Sequence, residues 1–130
     1  MAWETCQYCQ MKINGYYKLR DHKRDNHPGK LELEEAQQMV QAKERALART
    51  QERKAIYEFL NAALRDGQVP EPAINYFARE RDNQVYRHFS DTGPSTATEA
   101  FARKLEEDQE QLAKAQAELA AMEEAEAAHA

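Results

Sequence analysis

Residues 6–27 read Cys6-Gln7-Tyr8-Cys9-Gln10-Met11-Lys12-Ile13-Asn14-Gly15-Tyr16-Tyr17-Lys18-Leu19-Arg20-Asp21-His22-Lys23-Arg24-Asp25-Asn26-His27. Both cysteines of the chain and two of its four histidines fall in this run. Two thiolates separated by two residues can point the same way from a tight knuckle. Two imidazoles four or five positions apart lie on one face of a helix. Twelve residues separate the second cysteine from the first histidine, enough for a return strand and the opening turns of a helix. Asn14-Gly15 reads as the turn between them, with Asn14 as N-cap. The four side chains Cys6, Cys9, His22 and His27 therefore have the spacing to close a tetrahedron around one Zn²⁺.

At these residues the chain resembles the two-cysteine, two-histidine zinc finger over residues 3–28. The two apolar positions of that pattern are filled by Ile13 and Leu19, while Glu4 stands where an aromatic is usual and Trp3 lies one place further off. The resemblance implies a ββα fold and a structural Zn²⁺. It covers about a quarter of the chain. In fingers of this kind that read DNA, contacts come from the residue before the helix and from its third and sixth positions, which here are Gly15, Lys18 and Asp21. Glycine has no side chain with which to read a base, and an aspartate repels phosphate.

Other uses of the two cysteines fit less well. A disulfide scaffold requires an oxidising compartment, and the N-terminus Met1-Ala2-Trp3-Glu4 carries neither region of a signal peptide. A redox CxxC needs a βαβ setting that is missing from this pattern, and it leaves the histidines unexplained. Four protein ligands leave no open position for catalytic water.

The chain has 130 residues, a net charge of -5 and a mean hydropathy of -0.95, too small and too polar for a large enzyme core. No apolar run reaches the length of a membrane span. The expected location is intracellular, in cytoplasm, nucleus or an intracellularly assembled particle. Charge is unevenly spread: residues 1–30 carry +3 and residues 101–130 carry -5, so the first stretch is where a polyanion would be attracted.

Beyond the finger (residues 1–30), Pro28-Gly29 stops its helix. A long helix is expected from Leu31 to Asp66, closed by Gly67 as a left-handed C′ residue (31–67). Leu33, Ala36, Val40 and Leu47 form a heptad-like stripe. A polar window from Thr50 to Lys54 follows, and then a stronger cluster at Ile56, Phe59, Leu60, Ala63 and Leu64, with Tyr57 as an aromatic rim. Residues 68–95 form an aromatic-rich linker between Val69-Pro70-Glu71-Pro72 and Asp91-Thr92-Gly93-Pro94. It should hold a short helix after Pro72 with a break near Asp82-Asn83. His88 lies in it and reads as a packed side chain. The last segment, 96–130, opens on a capping box, Thr96 to Glu99. Its Phe101, Leu105, Leu112, Ala115, Leu119 and Met122 follow a coiled-coil register once Asp108 is admitted to the seam. The fold class is mainly α: a small ββα zinc finger followed by long helices, as a helical hairpin or coiled coil.

No catalytic constellation is visible in the pattern, and a non-enzymatic protein is expected. The reading preferred is a structural or adaptor subunit that docks onto protein partners or copies of itself, in an assembly such as a virus particle. Trp3, Tyr16, Tyr17, Leu105, Leu112 and Leu119 are its contact residues. The alternative is an accessory nucleic-acid binder whose Lys12, Lys18, Arg20, Lys23 and Arg24 touch phosphates weakly.

Overall fold

The computed structural model describes residues 3–86, 89 and 96–128. His88 and the Asp91-Thr92-Gly93-Pro94 turn lie outside the described residues. The chain opens with β1 (Trp3–Thr5) and β2 (Lys12–Asn14), paired antiparallel with Glu4 opposite Ile13. Helices α1 (Tyr16–Asn26) and α2 (Pro28–Arg65) follow. A 3₁₀ turn at Glu71–Ala73 leads into α3 (Ile74–Tyr86), and α4 (Ala97–Ala128) ends the described chain. The expected class, a small hairpin and then mainly long helices, is the one observed.

Several boundaries moved for local reasons. Gly15, at φ 99°, is the N-cap of α1 in place of Asn14, because this backbone conformation suits only a residue without a β-carbon. The long helix begins at Pro28, not Leu31. Proline costs nothing at N1, where its missing N–H would have no helical partner. His27 is the joint. Its N–H donates to Lys23 O at 2.6 Å, and its carbonyl accepts from Leu31 N at 3.0 Å. α3 is continuous through Asp82-Asn83. α4 starts directly after Thr96, whose carbonyl accepts from Ala100 N.

The residues group into two compact units, 1–42 with 114–130 and 43–113, and both long helices run through the two. In the first unit the hairpin and α1 stand beside the opening turns of α2, and the end of α4 contributes the ion pair of Glu126 with Lys30. Leu19, Val40 and Ala115 are buried there.

In the second unit, Lys43 donates to Gln111 at 2.7 Å, Thr50 to Asp108 at 2.7 Å, and Tyr57 stacks on Phe101 with centroids 5.6 Å apart. The partner numbers run in opposite directions, so the helices pair antiparallel. Tyr57, Val85, Ala97 and Phe101 form the core, with Phe89 against it. Val85 of α3 thus joins Tyr57 of α2 in this core.

The phase of α2 corrects the sequence reading. Tyr57, expected at the rim, is 2% exposed, whereas Phe59 is 69% exposed and Ile56 37%. Steps of seven from Thr50 reach Tyr57, and Ile56 and Phe59 are rotated off that line. The polar window does not interrupt the pairing: Thr50 is buried and bonds to Asp108, which is buried too. Polar residues meet polar residues across the seam.

Candidate metal centre

The hairpin and α1 bring Cys6, Cys9, His22 and His27 together, with their ligand atoms all within 4.8 Å of one another. The knuckle is built by Cys6 N–H donating to Met11 O at 2.8 Å and Gln10 N–H donating to Cys6 O at 2.7 Å. Gln10 has φ 65°, an uncommon conformation for a residue with a β-carbon that no neighbouring residue type signals. Leu19 is buried under α1 and orients the helix that carries His22. His27 is delivered from the joint between α1 and α2. The i, i+5 histidine spacing is therefore met by leaving the helix.

One of the four donors is left unsatisfied: Cys9 Sγ and His22 Nε2 are within hydrogen-bond distance of each other at 3.3 Å, whereas His27 Nε2 is buried without a partner among the described residues. An orphaned buried imidazole nitrogen costs free energy unless something occupies its lone pair. Burial opposes ionisation of the Cys6 thiol, but hydrogen bonds from the Tyr8 and Cys9 backbone, the Cys9 side chain and the Lys23 charge outweigh it, holding the pKa below the ordinary value. Two thiolates and two imidazoles suit a borderline-soft ion held tetrahedrally. The residues fit a metal.

Supporting residues surround the ligands. Asn26 Nδ2 donates to His22 O at 3.0 Å and lies 3.2 Å from His22 Nδ1, bracing the ring from behind as outer partners of ligating histidines do. Its position four residues after His22 was the available signal. Tyr8 is half-buried: its ring meets His27 at 5.4 Å and its hydroxyl donates to Lys30 O at 3.4 Å. Burial and the nearby Glu34 push the phenol up to about 12.

Glu34 is the hub between finger and α2. Lys23 Nζ donates to its two oxygens at 3.0 and 3.1 Å, and Gln7 donates to it at 2.6 Å. Arg20 pairs with Glu35 at 3.0 Å. These acids fall in the second turn of α2.

The remaining site residues fall as follows. Of the five cations expected to touch phosphates, Arg20 and Lys23 are tied to α2 and Arg24 pairs with Asp21 at 3.0 Å. Lys12 and Lys18 are exposed and have no ion pair among the described residues. Trp3, Tyr16 and Tyr17 are exposed, the two tyrosines packed edge to face at 5.5 Å. Leu105, Leu112 and Leu119 are half-buried along α4.

The local architecture and donor set are compatible with a two-cysteine, two-histidine finger. Comparison of the whole chain with protein-family models, with curated proteins and with solved structures finds no match. Among the described residues no helix is long and apolar enough to cross a membrane.

Proposed function

We propose that this chain is a non-enzymatic adaptor or structural subunit in which a Zn²⁺ ion makes the N-terminal segment a rigid knob for docking onto protein. The observation that carries the reading is the closed donor set: four side chains converge within 4.8 Å, enough to fill a tetrahedral ion and leave no position for substrate. Ile13 is only half-buried and Leu19 is the one buried apolar residue of α1, so little apolar burial holds the finger together, and ion binding supplies its folding free energy. The exposed Trp3, Tyr16 and Tyr17 give the knob an aromatic surface of the kind enriched at interface centres.

The test is elemental analysis of the purified protein, followed by chelation while the amide spectrum is recorded. One equivalent of zinc per chain, with loss of the signals of residues 3–27 on chelation, is the expected result. A chelated protein with an unchanged finger spectrum refutes the structural role of the ion.

A nucleic-acid role is the second reading, and one observation favours it: Lys12 and Lys18 are exposed and have no ion pair among the described residues, and Lys18 follows the exposed Tyr17 in α1, a combination suited to phosphate contact and base stacking. Arg20, Lys23 and Arg24 are already engaged with carboxylates, which lowers the phosphate contacts on offer. Titration with single-stranded and duplex DNA at low salt separates the two. Binding that weakens steeply with salt and disappears on replacing Lys12 and Lys18 favours nucleic acid. Absence of binding favours the adaptor.

A further inference from the structure

The second unit carries two rows of charge that its own packing leaves unpaired. On α2, Arg45, Arg49 and Arg53 recur every four residues, about 6 Å apart along one flank, and among the described residues none meets a carboxylate. The row leads into Ile56 and Phe59, 37% and 69% exposed. Arg49, Arg53 and Ile56 share a shallow cleft of about 220 Å³ with Glu52 and Gln84. On the outer side of α4, Glu106 and Glu110 are exposed, four residues apart, and without a cation partner among the described residues.

We propose that the α2 flank formed by Arg49, Arg53, Ile56 and Phe59 docks against Glu106 and Glu110 of a second copy of this chain. The spacing of the two arginines matches that of the two glutamates, so both pairs can form between aligned helices. A two-fold axis that turns both rows of one unit towards the partner forms the same contacts twice, as in an isologous dimer. Ile56 and Phe59 supply the apolar centre and the charges the polar rim. A polyanion fits less well: Glu52 lies among the arginines, and the chain's net charge of -5 repels it at a distance. The proposal rests on reading the chain as an assembly protein, and its failure leaves the metal-site reading intact.

The test is sedimentation of the full zinc-loaded chain across concentration. The expected result is a monomer–dimer equilibrium that weakens by on the order of tenfold or more between about 0.05 and 0.5 M salt. Arg49→Glu with Arg53→Glu in one variant, and Glu106→Arg with Glu110→Arg in another, should each be monomeric. An equimolar mixture of the two should dimerise again, because every reversed row then faces one of opposite sign. Helix content and zinc content verify folding, and Arg49→Gln with Arg53→Gln provides a milder variant if the reversal fails to fold. A wild type that is monomeric throughout, a dimer indifferent to both reversals, or a mixture that stays monomeric overturns the proposal. So does a monomeric wild type that binds heparin through these arginines, which would assign the row to a polyanion.

Discussion

Thr50→Val is the substitution whose effect the structure fixes most closely. Thr50 Oγ1 donates to Asp108 Oδ2 at 2.7 Å, and both residues are buried, at 2% and 6% exposure. Valine keeps the shape of threonine and removes the donor. Asp108 is then left with Lys104, whose Nζ is 3.4 Å from its other oxygen on a side chain 37% exposed, an attraction weakened by solvent screening. Loss of a hydrogen bond to a buried charged group costs about 1.5–3 kcal/mol. Asp108→Leu should cost less, because the Thr50 hydroxyl retains the Ala46 carbonyl at 3.2 Å and no charge is stranded. The double variant should lie near the wild type or above it, since replacing both partners by apolar groups removes desolvation as well as attraction. Urea unfolding followed by circular dichroism gives the three values. The double-mutant cycle should therefore show a coupling of at least about 1.5–3 kcal/mol. Additive effects, or a Thr50→Val no worse than Asp108→Leu, would refute the assignment of Asp108 as a seam residue held by Thr50.

Three further outcomes are expected. Phe101→Ala should cost about 3–5 kcal/mol, since the ring is fully buried between Tyr57 and Phe89, whereas Tyr76→Ala on the exposed side of α3 should stay within about 0.5 kcal/mol; equal losses in chemical denaturation would contradict the core described. Cys9→Ser should abolish stoichiometric zinc and the ordered finger while the 43–113 unit keeps its helical signal, because the apparent binding energy of such a site, on the order of 10 kcal/mol or more, is the folding energy of the segment. The Tyr8 phenol holds its proton more tightly folded than unfolded, with pKa about 12 against 10.0, so its contribution to stability is complete below pH 10 and is lost as pH rises towards 12. Tyr8→Phe should remove that part of the alkaline loss in unfolding midpoints measured across this range, and an unchanged slope would sink the assignment.

The convergence of Cys6, Cys9, His22 and His27, the ββα order and the existence of the long helices were all legible along the chain. Each depends on local rules: the separation of Cys6 from Cys9 and of His22 from His27, a strand and turn in the spacer, helix formers without glycine or proline from Leu31 to Asp66, and a cap at Thr96. Which face of α2 turns inward was decided by tertiary structure alone. Ile56, Phe59 and Tyr57 are all apolar enough to be buried, and a single helix does not rank them. The choice falls to Tyr57 because Phe101 and Val85 arrive from α4 and α3 in register with the Thr50–Asp108 bond. The use of Arg20 and Lys23 was likewise invisible along the chain. Their partners Glu35 and Glu34 are brought near only when His27 joins α1 to α2, because charge pairing depends on distance in space and a sequence records only separation along the chain.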